Sequence, residues 1–88
     1  MEAEQRRRLQ PLRSRLQTLE QQMNRLQQQQ KTLESQLGDT ALYADERREE
    51  LRRHLAEKVS VDRDLADTEE QWLEISEQIE AAQSGETY

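Results

Sequence analysis

Apolar side chains recur along the first half of the chain at Leu9, Leu12, Leu16, Leu19, Met23, Leu26, Leu33 and Leu37. Steps of three and four alternate without a slip, and Gln30 fills the one polar place in the series. That spacing predicts a helix with a narrow apolar edge, a seam that a single helix cannot bury and that therefore needs a partner helix. The second half repeats the pattern at Leu51, His54, Lys58, Val61, Leu65, Thr68, Trp72, Ile75, Ile79 and Ala82, with Leu55 and Val59 flanking. It is weakest at His54 and Lys58 and strongest from Trp72 to Ile79. The side chains expected to build the core are Leu12, Leu16, Leu19, Met23, Leu26, Leu33, Leu37, Leu51, Leu55, Leu65, Trp72, Ile75 and Ile79.

Between the stripes the sequence reads LGDTALYAD. Gly38 follows the last seam residue, where a cap with positive φ is expected. Asp39 or Thr40 can cap a short turn, and Asp45 is the expected N-cap of a second helix whose first turn holds Glu46, Glu49 and Glu50. A connection of about eight residues, the upper end of what joins antiparallel neighbours in bundles, makes the chain fold back on itself. Leu42 and Tyr43 are placed to cover the end of the seam, over Leu37 and Leu51. The fold class expected is all-α, an antiparallel two-helix coiled-coil hairpin with a short capped turn at its tip.

Pro11 removes a backbone donor inside the helical pattern and marks a boundary. The expected organisation is a lead-in helix over 1–10 and a hairpin over 11–83, followed by a disordered tail over 84–88. Within the hairpin, helices over 11–37 and 46–83 flank a tip over 38–45. In the register that sets Leu33 near Leu55, Met23 near Leu65 and Leu16 near Trp72, Gln30 faces Lys58. Such a paired polar layer penalises slipped registers.

Charge supports this direction of pairing. Residues 1–37 hold seven bases and four acids, whereas residues 45–83 hold six bases and thirteen acids. An antiparallel hairpin brings Arg6, Arg7, Arg8, Arg13 and Arg15 toward the acids from Asp64 to Glu80. A parallel homodimer would set acidic ends together, so a monomeric hairpin is favoured over a homodimer.

Composition limits the chemistry. The absence of Phe leaves little material for a thick core, and the absence of Cys rules out disulfides and thiolate metal sites and allows a reducing compartment, by default the cytoplasm. No apolar run reaches membrane-spanning length, and no membrane contact is expected. Met1 opens directly into a charged helical pattern, as a piece of a longer chain would. No Gly-rich loop precedes a helix, no Ser has a His partner, and His54 lacks a second ligand at metal spacing. The fragment is therefore expected to carry no catalytic residue, no metal and no cofactor.

One basic cluster stands out. Arg47, Arg48, Arg52 and Arg53 recur along the first turns of the second helix beside the tip, where guanidinium groups on a rigid surface can hold phosphates. Glu46, Glu49 and Glu50 are interleaved with them, so pairing within the helix is an equal reading.

Three stretches carry a family resemblance that covers most of the chain. LQPLRSRLQTLEQQM, LGDTALYAD and EEQWLEISEQIE resemble the opening helix, the Leu-Tyr hairpin tip and the Trp-bearing closing helix of one domain. That domain is the C-terminal coiled coil of ABC-F ATPases, and the likeness is strongest to the bacterial YheS-like and Uup-like members. The tip is the most specific of the three, through Leu37, Gly38, Asp39, Leu42 and Tyr43, with Trp72 from the closing helix. The resemblance implies an accessory module behind two ATP-binding cassettes that act in translation, with ATP and magnesium upstream and none in this fragment. Its partners would be the ribosome, through RNA or protein, or another nucleic acid. The residues implied in that contact are Arg47, Arg48, Arg52, Arg53 and Tyr43. The alternative is a structural coiled coil for homodimerisation or protein scaffolding.

Overall fold

The structure, a computed structural model, describes residues 2–84, the side chains of Glu2 and Gln5 excepted. Helix α1 (Glu2–Leu37) and helix α2 (Arg48–Ser84) are joined by two short 3-10 turns, Thr40–Tyr43 and Asp45–Arg47. The fold is the antiparallel two-helix hairpin that the heptads predict. It divides into two compact units, one of residues 1–23 with 67–88 and one of residues 24–66.

In the first unit the start of α1 pairs with the end of α2. Leu9, Leu19 and Thr68 are buried, while Leu12, Leu16, Trp72, Ile75 and Ile79 are half-buried. The Trp72 indole N–H donates to Glu20 Oε1 at 3.2 Å, and Arg15 Nη2 donates to Gln71 Oε1 at 3.0 Å. Those contacts put Leu16 level with Trp72, as the register requires. Arg15 thus meets an amide rather than one of the acids expected opposite it.

The second unit holds the tip and the polar layer. Leu33, Leu42 and Leu65 are buried, and Leu26, Leu37, Leu51 and Val61 are half-buried. Gln30 Nε2 donates to Asp62 Oδ1 at 2.8 Å, and Lys58 Nζ donates to Asp62 Oδ2 at 2.7 Å. Gln30 and Lys58 therefore meet through Asp62 rather than directly. The carboxylate accepts from both helices, which satisfies polar groups that would otherwise lie against the seam unpaired.

Several expectations are corrected. α1 runs unbroken through Pro11, so residues 2–10 form no separate lead-in helix. The ring costs the helix about 3 kcal/mol, but Leu9 is only 4% exposed, and burying such a side chain contributes ~1.5–3 kcal/mol. Seam burial on the far side of the proline thus offsets most of its penalty. Ser84 closes α2, and the rest of the expected tail lies outside the described residues. Leu55, expected in the core, is 48% exposed. His54 and Lys58 keep the seam positions, and a residue next to His54 is turned about 100° around the helix.

Candidate functional site

The tip is built from the end of α1 outward. The Gly38 N–H donates to the Glu34 carbonyl at 3.0 Å and the Asp39 N–H to the Gln36 carbonyl at 3.2 Å. Gly38 does not take the positive φ expected of it. The chain leaves the helix without a left-handed residue because the next cap forms at once. Asp39 is extended, and its Oδ1 accepts from the Ala41 N–H at 3.0 Å, which starts the turn Thr40–Tyr43.

Neighbours Leu42 and Tyr43 have different jobs. Leu42 is only 1% exposed and closes the apolar interior of the tip, whereas Tyr43 is 57% exposed. The Tyr43 hydroxyl donates to the Leu37 carbonyl at 2.7 Å, so the ring spans the reversal and satisfies an acceptor at the end of α1.

The second turn leads into α2 with no side-chain cap. Asp45, expected as the N-cap, lies inside the turn Asp45–Arg47, and Ala44 occupies the cap position. α2 accordingly begins at Arg48 rather than at residue 46. Asp45 instead faces Arg48 at 3.5 Å.

Of the four arginines proposed as a site, Arg47 is the most engaged. Its Nε and Nη2 each donate to one oxygen of Glu50 at 2.9 Å, a two-pronged pair. Hydrogen bonding to Glu50 raises the Arg47 pKa above its usual value, and the same bond holds Glu50 below the usual carboxylate range. Arg48 with Asp45 and Arg52 with Glu49 are longer contacts, each 3.5 Å, between highly exposed side chains. Such pairs contribute ~0–1 kcal/mol and exchange readily for another anion. Arg53 is exposed on the adjoining surface. The structure thus gathers Tyr43, Arg48, Arg52 and Arg53 as exposed groups near one end of the hairpin and turns Arg47 inward toward Glu50.

Two further polar groups lie along α2 beyond the arginines. His54 is largely buried, with Nε2 at 3.7 Å from Glu50 Oε1 and Nδ1 without a hydrogen-bond partner among the described residues. Further along, Asp62 is held below the usual carboxylate range by hydrogen bonds from Lys58 and then Gln30, and the Lys58 ammonium is pushed up by Asp62. The i,i+4 spacing of Lys58 and Asp62 was the available signal for this layer, and that of Arg47 and Glu50 at i,i+3 for the first pair.

Among the described residues no helix is long and apolar enough to cross a membrane, and no three His, Asp or Glu side chains gather as they would around a metal ion. Compared with known families, residues 10–77 match the model of the ABC transporter C-terminal domain. The chain belongs to that family. The matched region contains the whole tip, the polar layer and Trp72, and it begins just before Pro11. No curated protein and no solved structure was found to match the chain. As an ABC transporter C-terminal domain, the hairpin is an accessory helical module of an ABC protein.

Proposed function

We propose that this ABC transporter C-terminal domain is the accessory coiled coil of an ABC-F-type ATPase acting in translation. It carries no catalysis itself and touches the ribosome or another nucleic acid with its tip. ATP and magnesium belong to cassettes elsewhere in the parent chain, and the site of action is the cytoplasm. The observation that carries the reading is the pairing state of the tip arginines. Arg48 and Arg52 hold only long, solvated contacts to Asp45 and Glu49, and Arg53 lies exposed beside them.

A phosphate oxygen offers these guanidinium groups a stronger and better-shaped acceptor than an exposed carboxylate at 3.5 Å. Tyr43 adds an exposed ring, fixed at its hydroxyl end by Leu37, on which an unpaired base can stack. Arg47 has a supporting part, since Glu50 already takes both of its prongs. An exposed aromatic at the same end of the hairpin as loosely paired cations suits single-stranded or looped RNA better than duplex DNA.

The test is binding of the chain to purified bacterial ribosomes and to short structured RNA, beside a variant with Arg48, Arg52 and Arg53 changed to Gln. Binding lost in the variant supports the reading. Equal binding by both proteins, or none by either at low salt, contradicts it.

A further inference from the structure

Each unit carries an exposed patch on α2, and the two patches are complementary to each other. In the unit of residues 24–66 the patch is Arg48, Arg52, Leu55 and Val59, all exposed, with Leu55 at 48% and Val59 at 66%. In the unit of residues 1–23 with 67–88 it is Glu70, Leu73, Glu77 and Glu80, also exposed, with Leu73 at 52%. Each patch is spaced by three and four along its helix, so its members share one face.

Set antiparallel, the two patches stay in register to within one residue along their length. Steps of four, three and four from Arg48 to Val59 run beside steps of three, four and three from Glu80 back to Glu70. Arg48 then stands against Glu80, Arg52 against Glu77, and Leu55 against Leu73, while Val59 lies under the stem of Glu70. Run parallel, the same patches would set Arg48 beside Glu70 and leave Arg52 against Leu73, so the antiparallel direction alone serves both the charges and the leucines.

We infer that these two patches of α2 are self-association surfaces, the basic patch of one copy taking the acidic patch of a second copy. The apolar contribution is small, a few half-exposed side chains, and the charges act mainly on direction and partner choice. The association is accordingly weak, salt-sensitive and confined to high local concentration. It shares Arg48 and Arg52 with the RNA surface proposed above, but its own evidence is the match of the two patches and does not depend on that reading.

Charge exchange tests it without any ligand. Three samples of the chain are followed by sedimentation equilibrium up to millimolar concentration: wild type, R48E/R52E, and E77R/E80R. Wild type is expected to form dimers, and each variant alone to weaken them at least ~10-fold, because every cross-pair becomes a like-charge contact. An equimolar mixture of the two variants restores every pair and is expected to form a heterodimer of near wild-type strength. L73Q, with helicity checked by circular dichroism, weakens the dimer with no change of charge and covers the case in which a charge variant unfolds. A monomeric wild type at millimolar concentration, or a mixture no stronger than its components, would overturn the inference.

Discussion

The Tyr43 hydroxyl reaches back across the reversal to the carbonyl oxygen of Leu37, 2.7 Å away. Beside it Leu42 turns the other way and is buried. The adjacent pair Leu-Tyr at the tip is thus one residue that packs and one that caps. Y43F is expected to cost ~0.5–1 kcal/mol, the range for a partly solvated hydrogen bond. L42A is expected to cost ~2–4 kcal/mol through the cavity it leaves. Urea unfolding of both variants checks the order, and a larger loss from Y43F than from L42A would contradict the division of roles.

Gly38 gives a second test of the tip. Its φ is not positive, and a Cβ built there meets the Glu34 carbonyl oxygen at 3.3 Å and that of Ser35 at 3.5 Å. The neighbour has to give slightly, while alanine reduces the freedom of the unfolded chain. G38A is therefore expected to change stability by less than ~1 kcal/mol in either direction. A left-handed cap would lose clearly more than that, so a large loss in thermal unfolding would argue for the cap that the sequence suggested.

Pro11 is expected to be a tolerated defect within α1 rather than its boundary. P11A restores a donor to the Arg7 carbonyl and should stabilise the hairpin by ~1–3 kcal/mol, and it should slow amide exchange at residues 6–10. No change in exchange there would mean that the helix does not continue through this point.

The layer of Gln30, Asp62 and Lys58 sets a pH dependence. Asp62 is depressed, so its contribution is present above the ordinary aspartate pKa and is lost as pH falls through the lower value in the fold. Lys58 is raised, so its contribution is full below the ordinary lysine pKa and is lost as pH rises through the higher value in the fold. Across neutral pH the layer is therefore constant, and Glu50, depressed by Arg47, adds to the acid limb with the same sign. Thermal unfolding of D62N should be less acid-sensitive than wild type below pH ~4, near the ordinary aspartate pKa. An unchanged acid limb would count against the layer.

Much of this fold was legible in the sequence because the seam is periodic and the chain has few other ways to bury leucine. Every position of both three-four series is buried or half-buried, Gln30, His54 and Lys58 included. What periodicity could not give were features decided by single hydrogen bonds. Asp62 lies one residue off the seam yet completes its polar layer. Gly38 needed no left-handed turn because Asp39 caps the next segment immediately. Pro11 is a stop by local rule, and the burial of Leu9 beyond it prevails. At the site, the interleaved acids pointed to pairing within the helix, which Arg47–Glu50 and Arg52–Glu49 bear out, but not to which pair is tight. Nothing in their spacing told the two-pronged Arg47–Glu50 pair from the looser contacts of Arg48 and Arg52.

The central claim, that loosely paired tip arginines meet phosphates, is tested most directly by the salt dependence of RNA binding. Affinity of the chain for a structured ribosomal RNA fragment is measured across a salt series, with R48Q/R52Q/R53Q and R47Q in parallel. For single-stranded segments each phosphate contact adds about 0.7 to the slope of log affinity against log salt. The triple variant is expected to flatten that slope by about 2, and R47Q to leave it nearly unchanged. Equal slopes for wild type and the triple variant would show that these arginines meet no phosphate, and the claim would fall.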